Sequence, residues 1–276
     1  MFTVSIVLYK TNKTQLNTVL DCTIASNCVD KIYLVDNSPT DVLKEYANYG
    51  SNIEYIFVNS NIGYGSAHNI AIKKTIESCS DYHLILNPDI RFEKDVLKKC
   101  LEYMEKNTDV GYLLPKVTYP NGDLQYLCKL LPTPADLIFR RFIPSIGPLK
   151  KWKKKINDRY TLKSSAYDKI MNPPCLSGCF MLLRCSTLKE HNIYFDDNFF
   201  MYCEDFDLIR RIHRIAKTVF YPEVVIIHDH AQESYKNRKM LKQHIKSTLY
   251  YFNKYGWIFD KERKEMNRKV IMEEGL

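Results

Sequence analysis

The sequence predicts an α/β protein with a mostly parallel central sheet flanked by helices. Through roughly the first 115 residues, short segments rich in β-branched and aromatic residues alternate with segments of helical periodicity. This alternation is typical of parallel strands whose crossover helices cover both faces of the sheet. At 276 residues the chain is also long enough to bury a substantial core.

Five strands and four helices make up the alternating region. The predicted strands are VSIVLY, KIYLVD, IEYIFV, YHLILN and VGYLLP. The predicted helices fill the gaps between them, at Leu16–Ala25, Val42–Tyr49, Ala67–Ser78 and Asp95–Lys106. Ligands of such sheets bind beyond the carboxyl ends of the strands, which is where we expect a site.

The second half of the chain is less regular. The segment from Pro120 to Pro174 is a long excursion that we expect to be functional or partly helical. A strand at Cys179–Arg184 follows, then a helix near Asp207–Ile215 and the strand VFYPEVVIIHDH. After Ser234, apolar residues recur at spacings of three and four and predict an amphipathic helix.

Composition limits the class of protein. The apolar fraction of 45% and the charged fraction of 26% are ordinary for a globular chain. No apolar run approaches the ~18 residues of a membrane span, and the opening strand lacks a signal-peptide pattern, so we expect a cytoplasmic location. Nine scattered cysteines argue against a disulfide framework, and Cys175, Cys179 and Cys185 lack the spacing of a zinc site.

The formal net charge of +8 is concentrated in KKWKKK (150–155) and in the stretch from Lys236 to Lys269. Such runs are usually solvated faces; the functional alternative is an anionic partner, either nucleic acid or a phospholipid surface. The absence of a nucleic-acid-binding motif argues against nucleic acid. Segments at membrane interfaces mix apolar anchors with cations, as do Phe139, Arg140, Arg141, Phe142, Ile143 and Trp152.

Polar residues follow three of the predicted strands. KIYLVD ends in Asp36 and is followed by Asn37-Ser38-Pro39, and IEYIFV is followed by NSNIGYGSAHN (59–69). YHLILN ends in Asn87 and is followed by Pro88-Asp89. Three polar ends on one edge of a sheet predict a nucleotide site. A dehydrogenase fingerprint does not fit, because His68 replaces the third glycine and Asp36 precedes the glycine loop.

Two carboxylate motifs point to chemistry. Proline ends the strand before Asp89, and amide and carboxylate oxygens at such a tip suit Mg²⁺ or Mn²⁺, although the triplet also fits a plain turn. Five carboxylates crowd beside aromatic residues in FDDNFFMYCEDFDLIRR (195–211). Partial desolvation there raises the pKa and the basicity of a carboxylate; the alternative is an amphipathic helix with its charges outward.

The motifs and their order along the chain resemble those of the family 2 glycosyltransferases. Within that family they are most similar to the bacterial rhamnosyltransferase-like branch that builds surface polysaccharides. The set is VSIVLY, LVDNS, NxGxGxAxN, LNPD, SGCFMLLR and FDDNFFMYCEDFDLIRR, and it runs from about residue 3 to His230. The resemblance implies the GT-A fold, with a nucleotide-binding half at about 1–118 and an acceptor half at about 119–235. The residues 236–276 would form a helical C-terminal extension.

The resemblance also implies roles for individual residues. Tyr9 and Asp36 would hold the base and ribose, and the nucleotide-sugar pocket would be lined by Asn61, Gly63, Asn69 and Asn87. Asn87 departs from the aspartate that is commonest at its position. The metal would be held by Asp89 and His228. His230 is the second choice for the histidine ligand, because His228 and His230 are alternate residues of a strand and point to opposite faces.

For the acidic segment, the resemblance implies that Asp205 is the general base and that Glu204 binds acceptor or orients the site. Asp207 and Arg210 are expected to lie on the helix face and form ion pairs. The implied reaction is metal-dependent, inverting transfer from a dTDP- or UDP-activated sugar, with dTDP-rhamnose the leading donor. The acceptor would be a lipid-linked surface glycan of the undecaprenyl-diphosphate kind, met at a membrane surface.

One alternative of another class is a catalytically idle nucleotide- or glycan-binding module on the same fold. The combination of Asp89, Asp205 and His228 argues against it. The sequence leaves open whether the protein is a homo-oligomer.

Overall fold

The computed structural model of the chain describes residues 1–139, 146–229 and 238–276. In these ranges, helices flank an eight-stranded sheet. In chain order, the strands are β1 (Phe2–Leu8), β2 (Lys31–Asp36), β3 (Ile53–Phe57), β4 (Tyr82–Leu86), β5 (Ile90–Phe92), β6 (Val110–Thr118), β7 (Phe180–Arg184) and β8 (Lys217–His228). The helices are α1 (Lys13–Ala25), α2 (Tyr64–Glu77), α3 (Val96–Lys106), α4 (Gly147–Tyr160), α5 (Cys185–Glu190), α6 (Glu204–His213), α7 (Arg238–Tyr255) and α8 (Lys261–Glu273).

The sheet is mixed, in the order β3-β2-β1-β4-β7-β6-β8-β5. The first four strands in this order are all parallel, as predicted. In the other half, β6 and β8 are parallel, while β7 is antiparallel to β4 and β6, and β5 is antiparallel to β8. The sequence does not reveal these reversals, because a strand buried on both faces has an unbroken apolar run whichever way it points.

Helices pack on both faces of the parallel half. On β2, Ile32 and Leu34 join the large core that also holds Leu16 of α1. The alternate residue Tyr33 packs in a second cluster with Ala67 of α2. Successive side chains of a strand point to opposite faces, so one buried strand serves two layers. The region predicted from strand-helix alternation is thus confirmed as a layered α/β unit.

Several boundaries differ from the predictions. The segment predicted as a helix at Val42–Tyr49 is a short 3₁₀ helix, Lys44–Asn48. Helix α6 begins at Glu204, three residues earlier than predicted. The C-terminal region forms two helices, because Gly256 (φ 99°) ends α7 and donates its N–H to the Phe252 carbonyl at 2.8 Å. The predicted residues 140–143 and His230 lie outside the described residues.

The C-terminal helices pack on α6 through buried charges. Arg210 is 1% exposed and donates two hydrogen bonds to Asp260, at 2.7 and 2.8 Å. It donates a third to Glu262 at 2.8 Å and lies 4.0 Å from the centre of the Tyr255 ring. Asp207 accepts from the Tyr255 hydroxyl at 2.6 Å and pairs with Arg211. The expectation that Asp207 and Arg210 form ion pairs is confirmed.

All nine cysteines are free. No helix in the described ranges has the combined length and apolar composition that a membrane span needs.

Candidate active site

The predicted site residues converge on the edge of the sheet where β1, β2 and β4 end. Asp36 is the last residue of β2 and pairs with Leu8 of β1, so Tyr9 follows directly beside it. Asn87 follows β4, and its N–H donates to the Cys179 carbonyl at 2.9 Å, just before β7. The strand-end rule thus brings these predicted residues together on one edge, and their function there stays a prediction.

Asp36 is fully buried and held on both sides. One carboxylate oxygen accepts from the Tyr55 hydroxyl at 2.5 Å, and the other accepts from the Ser38 N–H at 2.8 Å. The neighbouring Tyr9 is half exposed. In this structure Asp36 orders the turn after β2, and its predicted contact with base or ribose stays a prediction.

The glycine loop packs against the acidic segment. Gly63 has φ 96°, and a Cβ there would lie 2.5 Å from the Phe200 carbonyl oxygen. The next residue, Tyr64, donates its N–H to the same oxygen at 3.0 Å, and the Asn61 side chain accepts from the Gly63 N–H at 3.1 Å. Glycine is thus required here by a protein carbonyl, whether or not a ligand also approaches.

The Asn69 side chain forms hydrogen bonds within the protein. Its side chain donates to the Phe195 carbonyl at 2.9 Å and to Asp197 at 3.0 Å, and it accepts from the Phe195 N–H at 2.9 Å. Both amide hydrogens and the amide oxygen are therefore engaged. This differs from the predicted contact with the nucleotide sugar: Asn69 fixes the start of the acidic segment against α2.

Tyr64 connects the end of β4 to the acidic pair, and the sequence motifs did not single it out. Its buried hydroxyl lies 2.9 Å from the Asn87 side-chain oxygen and 2.8 Å from the Gly178 carbonyl oxygen. The Gly178 N–H in turn donates to Asp205 at 3.2 Å. A Cβ on Gly178 would lie 3.1 Å from the Asp205 Cβ, so the two residues are in direct contact.

We expect Tyr64→Phe to lower kcat about tenfold, because it removes the single hydroxyl proton that the Asn87 and Gly178 oxygens share, which loosens the Asp205 contact. Steady-state kinetics and thermal melting check this. The matched control is Tyr46→Phe, which removes a 2.6 Å bond to Asn17 away from the site. It should lower stability without lowering kcat. Equal kcat values in the two variants would contradict the positioning role.

Glu204 and Asp205 are adjacent carboxylates in the first turn of α6. Asp205 accepts from the Gly178 N–H and from the Phe206 N–H at 2.9 Å. Burial raises the pKa of Asp205, against the opposing effect of Lys129. Burial, reinforced by repulsion from Asp205, raises the pKa of Glu204. One Glu204 carboxylate oxygen is buried with no hydrogen-bond partner among the described residues.

The backbone before this pair is in an uncommon conformation. Tyr202 and Cys203 have φ values of 71° and 66°, in the left-handed region that non-glycine residues seldom occupy. Helix α7 supports them, since the Ser247 hydroxyl donates to the Met201 carbonyl at 2.7 Å. Backbone of this kind persists where the surroundings hold it, which is common next to active sites.

Asp89 and His228, the predicted metal ligands, lie together, and their binding of a metal stays a prediction. Antiparallel pairing of Ile90 with His228 brings the His228 Nε2 to 3.5 Å from an Asp89 carboxylate oxygen. The other ring nitrogen lies 3.0 Å from the Gln125 side-chain oxygen, a contact that orients the imidazole. Burial alone would lower the pKa of His228, but Cys179 and Asp89 raise it to about 10. The environment of this pair thus favours a positive charge, which a divalent cation would supply in place of the imidazole proton.

The pair suits a divalent cation that takes further ligands from a substrate. The Asp89 carboxylate oxygen that faces His228 is buried and has no hydrogen-bond partner in the described ranges. Those ranges hold no group of three or more His, Cys, Asp or Glu that could bind a metal alone. Mg²⁺ is commonly bound through one or two carboxylates plus substrate phosphates, so a small donor set fits a nucleotide-dependent site.

The fold is GT-A, as the alignments with solved structures show. The S. aureus TarS structure (residues 1–349) with UDP-GlcNAc aligns with TM-score 0.61 and 15% identity, over 98% of this chain and 71% of that one. GalNAc-T7 with UDP, GalNAc and Mn²⁺ aligns with TM-score 0.63 and 14% identity, over 99% of this chain and 56% of that one. Identities this low establish the fold alone.

The chain belongs to glycosyl transferase family 2, whose family model matches residues 3–191. It is 30% identical to the rhamnosyltransferase WbbL of Escherichia coli K12 over 229 residues, which are 80% of this chain and 81% of that protein. It is 24% identical over 245 residues to the N-acetylglucosaminyl-diphospho-decaprenol L-rhamnosyltransferase of Mycobacterium tuberculosis, with 82% and 76% covered. The predicted family and branch are confirmed, and the protein is a glycosyltransferase.

Tyr64, Gly178 and Gln125 are site residues that sequence reasoning missed. Tyr64 and Gly178 lie inside quoted motifs, where attention to every polar side chain and every glycine would have found them. Gln125 lies in the irregular excursion, 103 residues from His228. No local pattern signals a contact of that range.

Proposed function

We propose that the protein transfers a sugar from a nucleotide-sugar donor to an acceptor hydroxyl, with inversion at the anomeric carbon. The carrying observation is the contact chain from Asn87 through Tyr64 and Gly178 to Asp205. It joins the strand end next to Asp89 to an acidic pair in which Glu204 is buried and Asp205 is partly exposed. A single base within reach of the donor site is what a one-step displacement requires.

In this mechanism Asp205 accepts the proton of the acceptor hydroxyl while the oxygen attacks the anomeric carbon. The bond from that carbon to the diphosphate oxygen breaks as the new bond forms, so the configuration inverts and a nucleoside diphosphate leaves. The raised pKa of Asp205 makes its carboxylate a stronger base than an exposed one. Glu204, beside it, orients the acceptor or the base.

Asp89 and His228 would hold Mg²⁺ or Mn²⁺, which would stabilise the negative charge of the departing diphosphate. The orphaned Asp89 oxygen and the orientation of His228 by Gln125 support this role. Tyr9, Asp36, Asn61 and Gly63 border the edge on which the nucleotide would lie.

For the donor we propose a dTDP- or UDP-activated sugar, with dTDP-rhamnose first, because both compared relatives are named rhamnosyltransferases. For the acceptor we propose a lipid-linked glycan, because the name of the mycobacterial relative includes a diphospho-decaprenol. The enzyme would then act in the cytoplasm at a membrane surface. The alternative, an idle nucleotide- or glycan-binding module, predicts donor binding without turnover.

The test is thermal melting of the protein with dTDP-rhamnose, UDP-glucose, UDP-galactose, UDP-GlcNAc and GDP-mannose, each with and without Mn²⁺. A ligand that binds only the folded state raises the melting temperature according to its affinity. We expect one donor to give a shift that depends on Mn²⁺.

We expect Asp89→Ala to abolish the Mn²⁺-dependent part of this shift, because it removes a metal ligand. The control, Asp205→Ala, should keep the shift, because Asp205 acts on the acceptor. A shift that survives in Asp89→Ala would contradict the metal assignment. No shift with any donor would contradict the proposed donor class.

A further inference from the structure

The loop between α7 and α8 presents large apolar side chains to solvent. Ile258 is 68% exposed and Phe259 is 88% exposed, with Trp257 beside them at 36%. Exposing such side chains together is unfavourable unless a partner covers them, and clusters of this kind mark interaction sites.

The loop is held rigidly from beneath. The buried guanidinium of Arg263 donates to the carbonyls of Gly256 at 3.4 Å, Trp257 at 3.1 Å and Pro132 at 3.3 Å. Asp260 caps α8 and is bound by Arg210. With the carbonyl groups satisfied inward, the apolar side chains are fixed in an outward position and little conformational entropy is lost when they bind.

Two grooves on the Trp257–Ile258 side of this loop are rich in cations, whereas the groove lined by Phe259 also contains Asp260 and Glu262. A groove beside Trp257 and Ile258 is also lined by Arg159, Lys264 and Arg268. An adjoining groove shares Arg159 and extends along α4, with the side chains of Lys151, Lys154 and Lys155 on its wall. Asp158 is the one acidic side chain on the two described walls. We call this surface the basic apolar face: Lys151, Lys154, Lys155, Arg159, Ile258, Phe259, Lys264 and Arg268.

We propose that the basic apolar face docks on an anionic phospholipid bilayer. Ile258 and Phe259 would enter the region between the headgroups and the acyl chains, while the cations lie against the headgroup phosphates. An interfacial segment combines these two contributions, apolar burial and attraction to anionic lipid. Nucleic acid would satisfy the cations and could stack on Phe259 or Trp257, but it offers no apolar phase in which Ile258 would be buried.

The position of this face bears on the reaction. Asp260 follows Phe259 directly, and its partner Arg210 lies on α6, the helix that begins with the acidic pair. Docking would thus hold the proposed active site near a lipid-held acceptor. The purpose of docking rests on the proposed function, but docking itself does not.

The experiment is cosedimentation of the full chain with vesicles, without any nucleotide sugar. One set contains phosphatidylcholine alone, and in the other phosphatidylglycerol replaces half of it. We expect binding to the anionic vesicles alone, weakening as salt is raised. Lys264→Gln/Arg268→Gln should weaken binding about tenfold or more, and Ile258→Ser/Phe259→Ser should weaken it comparably.

The matched controls are Val42→Ser, which changes another apolar side chain that is 68% exposed, and Lys98→Gln, an exposed lysine of α3. Both should bind like the unchanged protein. In a Trp152→Phe variant, Trp257 is the remaining tryptophan, and its emission should shift to the blue on binding.

Absence of binding to anionic vesicles, or undiminished binding by the loop variant, would overturn the proposal. Binding to duplex DNA but not to vesicles would identify the face as a nucleic-acid surface instead. Since no donor is present in this assay, its failure would leave the proposed sugar transfer standing. A negative donor-melting result would equally leave lipid docking standing.

Discussion

Replacing Asp205 by asparagine is expected to lower kcat about a thousandfold, the usual scale for loss of a positioned general base. The asparagine keeps the size of the side chain and an oxygen toward the Gly178 N–H, but it cannot accept the acceptor proton. The KM for the donor should change little. Steady-state turnover with saturating donor and acceptor measures the effect.

The same experiment has a pH signature. Asp205 must be ionised to act, and burial raises its pKa. Activity should therefore rise with pH, with a midpoint above ~3.9, the ordinary pKa of an aspartate. This acid limb of the pH profile should be missing from the residual activity of Asp205→Asn. Asp168→Asn, an exposed aspartate of the excursion, is the matched control and should keep both kcat and the limb. Full activity in Asp205→Asn would exclude it as the base.

Asp260→Asn is expected to lower the free energy of unfolding by about 3 kcal/mol, because it leaves Glu262 as the one described anionic partner of the buried Arg210 cation. The asparagine oxygen can still accept from the Arg263 N–H and cap α8. The lost stability therefore measures the ion pair between Asp260 and Arg210 and not the helix cap. Chemical denaturation of the full chain measures it.

The control for this prediction is Asp95→Asn, which breaks an exposed 2.6 Å pair with Lys99 on α3. Exposed pairs contribute little, so we expect a change below about 1 kcal/mol. If both variants lost the same stability, the buried pair would contribute no more than a surface one.

The parallel half of the fold is predictable because each buried strand has its own apolar run and each crossover helix its own periodicity. The start of α2 at Tyr64 is harder to predict, since Gly63 and Gly65 lower helix propensity and are required by packing against Phe200 and Phe195. The direction of β7 has no local signal, because it depends on where the excursion re-enters the sheet.

The predicted site residues also differ in whether their surroundings are set by local sequence or by distant parts of the chain. Asp89 and Asp205 are found from short motifs, each at the end of a recognisable element. The role of Asn69 could not be inferred, because its partners lie 126 and 128 residues away on the acidic segment. A motif shows which residue types are present, but it does not show whether a given amide faces a ligand or another part of the chain.

The packing of the glycine loop on Phe200 has a consequence for how donor binding and acceptor binding would affect each other. The first turn of α2, on the donor side, and the backbone just before the acidic pair are in contact at Gly63 and Tyr64. Under the proposed function, a donor that displaces one would displace the other, so donor and acceptor affinities would be thermodynamically linked. By reciprocity, whatever factor a bound donor applies to acceptor affinity, a bound acceptor applies to donor affinity.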